Sequence, residues 1–362
     1  MKPEKINFAI KKSVVYALMC VGSIFFLFTI SCSKKSDPTP EKTKPKVDLL
    51  EGYYRDGDVR IIKYHGSNTV NLVVLGDGFI QSDLQIGGAY DAAVQRLVDF
   101  LFSIEPFMLY KDHFNIHVIY AESKRRGAVR GFSSIDSQTK FNAYFHDEIE
   151  RLLMIGSPLA VNNYITKALP ISQAHLKVVI VNDDRYGGAG GSFAVVSTHP
   201  SADRVAVHEV AHTFANLADE YVDEPIAHLY PMSRVAEKPN VDTTDNPELI
   251  KWKHYIEHPL YQSTVGAFEG AYYRSSGVFR PEFQSIMGTL NSTRFNAPSR
   301  EAIAKRIHEI VDIPFDFEEF IQADIPNIQT QGIYQWIYHQ TPMPVQVWYN
   351  QNNPSAPIIS LK

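Results

Sequence analysis

The chain has 362 residues, 44% hydrophobic and 21% charged, a balance that suits a buried core and excludes disorder, collagen or coiled coil as a description of the whole. A formal net charge of -5 and a sequence pI of 6.2 lack the basic excess of a protein that neutralises phosphates, so nucleic acid is excluded as a partner class. Cys20 and Cys32 are the only cysteines, which removes a disulfide framework and any Cys-ligated metal site from the body; a metal there must be held by His and carboxylate.

Lys2, Lys5, Lys11 and Lys12 form a positive n-region, followed by an apolar stretch over 13–30 and then Ser31-Cys32-Ser33. This reads as an export signal. The small residue before Cys32 and the polar SKKSDPTP run after it resemble a bacterial lipoprotein signal in which Cys32 becomes the acylated first residue. Thr29 departs from the Leu usual at that position. A retained single-span anchor is the alternative, and either puts the body outside the cytoplasm. The expected place is the cell envelope of a bacterium, lipid-anchored at the outer membrane or cell surface, with membrane contact through the anchor only. Residues 1–31 are then the signal peptide and 32–58 the acylated Cys with a Lys/Pro/Ser/Thr-rich tether that cannot pack. One domain is expected over 59–325 and an aromatic-rich extension over 326–362.

Within the domain, VNLVVL at 70–75 is a continuous apolar run suited to a buried strand. Helical spacing follows over 89–101, a strand over 114–120, a helix over about 141–154 and a second buried strand over 175–181. A Gly-rich loop at 187–191 has no Lys-Ser/Thr pair after it, so it is not a phosphate cradle. Residues 192–199 read as a strand between Gly and Pro, suited to the edge of a sheet. Alternation of this kind predicts an α/β fold with a mixed sheet and helices packed on it.

Ser201 is placed to cap a helix over 202–218, whose core face is Val207, Val210, Ala211, Phe214 and Leu217. His208 and His212 then stand one turn apart and can aim ring nitrogens at a single point, as two ligands of a tetrahedral zinc require. Glu209 is one step round the helix, placed to take a proton from water at an open metal position. The pattern resembles two kinds of zinc peptidase: in gluzincins the third ligand is a Glu some 20 or more residues later on a second helix, and in metzincins it lies about ten residues after the first His, which here is Ala218 and cannot bind metal. Asp219 is the favoured ligand, with Glu220 as a supporting or alternative carboxylate and His228 as the spare candidate. His199 reads as structural. Aromatic residues Tyr334, Trp336, Tyr338, Trp348 and Tyr349 in the extension suggest a β-hairpin or a strap.

At HEVAHTFANLADEY (208–221) the sequence resembles the bacterial immunoglobulin A peptidase family of zinc metallopeptidases, and further matching segments run in order over about 60–310. The resemblance implies a metzincin-like fold in which Ser285-Ile286-Met287-Gly288 supplies a Met-turn beneath one zinc ion. Ala211 and Ala215 stand where the family often has Gly, and Gly288 where Arg is usual. The implied function is a lipid-anchored zinc endopeptidase, expected to be a monomer, acting on extracellular or host proteins. The competing expectation is an inactive zinc-binding lipoprotein that binds peptide or glycan. Substrate is expected to pair with the strand at 192–199, involving Ser192 and Phe193, while Tyr272, Tyr273 and Arg274 are candidate donors to the scissile carbonyl.

Overall fold

The computed structural model describes residues 52–339, 346–350 and 353–360. Cys32, the export signal and most of the tether lie outside the described residues. The fold is built round a six-stranded sheet. In chain order its strands are β1 (Val59–Lys63), β2 (Val70–Asp77), β3 (Phe114–Ile119), β7 (Leu176–Val181), β8 (Gly188–Ala189) and β9 (Ala194–Ser197). Between β3 and β7 a small sheet is formed by β4 (Val129–Arg130), β5 (Ala143–Phe145) and β6 (Leu153–Ile155). The spatial order of the large sheet is β1-β3-β2-β7-β9-β8, parallel from β3 to β9 with antiparallel strands at both edges.

All eight residues of β2 are buried because both faces of the sheet are covered. Val70, Leu72 and Val74 belong to one core and Val73 and Leu75 to the other, as the two-residue period of a strand dictates. The first core is closed by α1 (Ala89–Leu101), α3 (Ala202–Ala215) and α5 (Ala297–Val311). The second is closed by α2 (Pro158–Ile165) and the small sheet. After α3 come a short helix α4 (Lys253–Glu257), a hairpin of β10 (Phe268–Ala271) and β11 (Arg274–Arg280), and α6 (Phe317–His339). Helix α6 runs through position 325, where the domain was expected to end, and β12 (Gln346–Asn350) and β13 (Asn353–Ser360) pair as a hairpin beyond it.

Several expectations are corrected. The helix expected over 141–154 is the β5–β6 pair. Phe141, Ala143 and Phe145 alternate into the second core while the charged run between the strands makes the turn, where His146 Nδ1 accepts the N–H groups of Glu148 and Ile149 at 3.2 Å. In so short an apolar run, helical and strand periods coincide. The segment 192–199 is not an edge: β9 lies between β7 and β8 with all four residues buried. Helix α3 stops at Ala215, three residues early, because Asn216 takes a left-handed turn at φ 55° and Leu217 N–H returns to the Ala211 carbonyl at 3.3 Å. Ser201 holds the N-cap position but makes no side-chain cap; its own N–H donates to His199 Nδ1 at 3.1 Å.

Candidate metal centre

Burial of Val207, Val210, Ala211 and Phe214 fixes the rotation of α3 about its axis, and with it the direction of His208 and His212. Their outer nitrogens are held by carbonyls: His208 Nδ1 donates to Ile286 O at 3.0 Å and His212 Nδ1 to Leu217 O at 2.7 Å. The second acceptor exists only because the helix ends early and the chain doubles back. With both Nδ1 atoms protonated, both Nε2 atoms present lone pairs, and these lie 3.0 Å apart. Asp219 Oδ1 faces them at 2.9 and 3.3 Å, and this buried oxygen accepts no hydrogen bond.

Three electron pairs directed at one point repel unless a positive charge lies between them. The residues present therefore fit a metal cation, and His208, His212 and Asp219 can hold it. Without one, a proton is drawn in instead. Burial opposes charge on His212, but the Asp219 carboxylate outweighs it and raises the imidazole to about 9. Burial likewise opposes charge on Asp219, yet the two imidazoles hold its carboxyl well below the usual range.

Asp219 is positioned by the hairpin tip and by side chains. Tyr273 donates its hydroxyl to Asp219 Oδ2, while Tyr272 N–H donates to the Asp219 carbonyl at 2.9 Å and Tyr273 N–H to the Tyr221 carbonyl at 3.0 Å. Ala271 pairs with Arg274, so Tyr272 and Tyr273 form a two-residue loop, with φ of 51° and 69°. Such loops favour Gly, Asn and Asp, and a bulky residue held there costs about 1–3 kcal/mol. Just before Asp219, Asn240 brackets Ala218, accepting its N–H at 2.7 Å and donating to its carbonyl at 2.9 Å. Glu220 is not part of the His208–His212–Asp219 cluster. Its buried carboxylate accepts from Asn240 at 2.7 Å, Asn296 at 2.6 Å and Ser285 at 2.5 Å. Burial raises this carboxyl above its ordinary value even against these three donors. The Glu220 N–H donates to the carbonyl of Met287 at 2.9 Å, and Met287 itself is fully buried in the first core.

Glu209 stands beside the two imidazoles, its carboxyl raised by burial against the pull of His208 and His212. The Gly-rich segment passes directly over it. A Cβ built on Gly190 would lie 2.8 Å from His212 Cβ and 3.1 Å from Glu209 Oε2, and one on Gly188 would lie 2.5 Å from Val205 Cγ1. These glycines thus allow the sheet edge to approach the helix, which gives the loop a steric role. The outer edge of Gly188 is occupied, its N–H donating to the Arg151 carbonyl at 3.1 Å.

The remaining expected residues fall elsewhere. His228 is exposed, bonded to Pro225 O at 3.0 Å, and does not join the cluster. Phe193 is buried in the second core beneath the Lys177 ammonium, so it is not a cleft residue; Ser192 is exposed. Arg274 is taken up by the carbonyls of Tyr272, Ala227 and Tyr230 at 2.9, 2.8 and 2.5 Å, and the Tyr273 hydroxyl is engaged by Asp219, so neither is a free donor to substrate. Asn240, Asn296 and Arg151 carry no motif and were missed. Arg151 reaches from the sheet edge to Asp223 at 3.3 Å, and its charge lowers Glu209 in opposition to burial. No curated protein matches the chain. The sequence pattern of the IgA Peptidase M64 family matches residues 62–261 and 257–307, and the chain belongs to that family of peptidases.

Proposed function

We propose that the chain is a zinc-dependent endopeptidase with a metzincin-like centre, cleaving extracellular or host proteins from a lipid anchor at Cys32 on the bacterial cell envelope. The observation that carries the metal reading is the convergence of His208 Nε2, His212 Nε2 and Asp219 Oδ1 round a buried oxygen that accepts no hydrogen bond. Two imidazoles and a carboxylate form a donor set suited to zinc with one position left open. When bound there, zinc supplies Lewis-acid polarisation of a peptide carbonyl and of water.

The protein's own groups do the rest. Ile286 and Leu217 carbonyls keep both imidazoles in the tautomer that presents Nε2. Glu209 takes the proton of the attacking water and returns it to the departing amine, and its burial-raised carboxyl suits both halves of that transfer. The turn at 285–288 serves as the Met-turn: its Ile286 carbonyl orients His208, and its Met287 carbonyl holds the segment that carries Asp219. Because Gly188 is already paired and β9 lies between β7 and β8, an extended substrate lies along the 190–192 loop that borders Glu209 and His212, with exposed Ser192 at its margin.

Metal analysis of the purified protein and of Glu209→Gln and Asp219→Ala, paired with cleavage assays on blocked and unblocked peptides, tests the reading. One zinc in wild type and Glu209→Gln, its loss in Asp219→Ala, and cleavage of blocked peptides by wild type alone are the expected results. Absence of metal uptake by the wild type overturns the reading. Metal uptake with equal behaviour of wild type and Glu209→Gln on every substrate would favour a binding lipoprotein.

A further inference from the structure

We infer that Tyr273 is a positioning residue that reserves a single oxygen of Asp219 for the metal, and that the Tyr272-Tyr273 turn is the device that delivers its hydroxyl. The inference rests on the zinc reading above and deepens it.

The two oxygens of Asp219 are treated differently. Oδ2 accepts the Tyr273 hydroxyl. Oδ1 accepts no hydrogen bond and faces both imidazole Nε2 atoms. A carboxylate free at both oxygens can give both to a cation, which raises the coordination number and uses the position that water or substrate needs. A hydrogen bond to one oxygen lowers its donor strength and fixes the plane of the group, so the other oxygen binds alone.

The turn is built to hold that hydroxyl in place. Both central residues lie in the left-handed region, where Gly or Asn is favoured. Main-chain bonds staple the tip to the ligand segment: Tyr272 to Asp219, Tyr273 to Tyr221, and Asp223 to Tyr273 at 2.9 Å. The Tyr273 ring is stacked on Tyr230 with centroids 3.9 Å apart and meets Tyr221 edge-on at 5.3 Å. Its neighbour Tyr272 shares the backbone conformation and the burial, but among the described residues its hydroxyl bonds nothing. Only one of the two phenols touches the centre, and this pair of residues therefore carries its own control.

The test uses the full chain, stripped of metal and titrated with cobalt(II), as wild type, Tyr273→Phe and Tyr272→Phe. Phenylalanine keeps the ring contacts and removes only the hydroxyl. Tyr273→Phe is expected to bind cobalt about 10-fold or more weakly. Its visible bands should also weaken, since a second carboxylate oxygen moves the ion away from four-coordinate geometry. Tyr272→Phe should match wild type in both readouts. Unchanged affinity and spectrum in Tyr273→Phe, or an equal loss in Tyr272→Phe, overturns the inference. Should Tyr273→Phe fail to fold, X-ray absorption of the zinc-loaded wild type decides: one carboxylate oxygen on the metal supports the inference and two overturn it. A wild type that takes up neither cobalt nor zinc overturns the zinc reading and this inference together, whereas a failure confined to the tyrosine variants leaves the zinc reading standing.

Discussion

Residues before and after the end of α3 are held together by different means. Up to Ala215 the protein is a covered sheet: β2, β3, β7 and β9 are joined by main-chain ladders, and their side chains alternate between two apolar cores. From Asn216 to Phe295 the regular elements are short: β10, β11, α4 and two 3-10 helices, Glu224–Leu229 and Met232–Glu237. There, polar side chains replace the ladders. Lys251 Nζ gathers the carbonyls of Val235, Lys238 and Val241 at 2.6, 2.8 and 2.7 Å, Arg274 gathers those of Tyr272, Ala227 and Tyr230, and Asn240 brackets Ala218. The candidate centre draws two nitrogen ligands from the first region and one oxygen ligand from the second. A rigid helix therefore supplies the paired imidazoles, and a loop braced by buried hydrogen bonds supplies the carboxylate.

The largest effect expected from breaking this arrangement lies in chemistry alone. Glu209→Gln keeps the shape of a side chain on the regular helix but removes the proton acceptor, so turnover should fall about 100- to 10,000-fold. Metal content and melting temperature should stay at wild-type values. A parallel loss of metal would place Glu209 among the ligands and not beside them.

Proton competition should give the next largest effect. His212 is raised from 6.5 to about 9 in the folded protein because Asp219 outweighs burial. A metal must displace that proton, so metal affinity should rise about tenfold per pH unit up to about 9 and then level. In the metal-free protein the sign is reversed: the folded pKa lies above the unfolded value, so His212 contributes stability that is complete below pH 6.5 and lost as pH rises through about 9. Melting curves with and without metal should diverge as pH increases; curves that stay parallel would mean that no proton is exchanged for the metal.

The contrast between regions is sharpened by a pair of core substitutions. Glu220→Ala leaves the buried donors of Ser285, Asn240 and Asn296 unmatched, at a cost of about 3 kcal/mol. Val74→Ala, in the middle of β2 and fully buried, should cost about 2 kcal/mol through the cavity it leaves. Only Glu220→Ala should also weaken metal binding, because its carboxylate ties the segment holding Asp219 to the turn that orients His208. Denaturant melts paired with cobalt titration separate the two; equal metal affinity in both variants would show that the loop is placed by something other than this junction.

The same division governs what could be read from the sequence. Helix α1 matches its expected bounds of 89–101, and the buried strands match to within a residue or two, because apolar period and length leave one solution for each. His208, Glu209 and His212 were legible because three residues on one helix define their own geometry. Asp219 was narrowed by spacing. Asn240 and Asn296 were not legible: each reaches Glu220 from 20 or more residues away, and no local pattern marks such a partner; Ser285 was read only as part of the turn, without its bond to Glu220 across 65 residues. The β9 strand was found but misplaced in the sheet, since neighbour order depends on β8, two residues long and mostly glycine loop.

The smallest expected effects compare two helix starts. Ser201 was read as the cap of α3 from residue type and position, yet its hydroxyl makes no capping bond. Ser201→Ala should therefore change stability by less than about 0.5 kcal/mol. Asn296 does cap α5, accepting the Ser299 N–H at 2.9 Å, and its amide also donates to Glu220 at 2.6 Å. Asn296→Ala should cost about 1 kcal/mol for the cap, with a further loss because the buried Glu220 carboxylate loses one of its donors. The coupling between Asn296→Ala and Glu220→Ala should be large, since both remove one junction, while Ser201→Ala should add independently to either. Strict additivity of the Asn296 and Glu220 substitutions would mean that α5 and the ligand loop are fixed separately, and that the second region is a set of local braces where a connected network is expected.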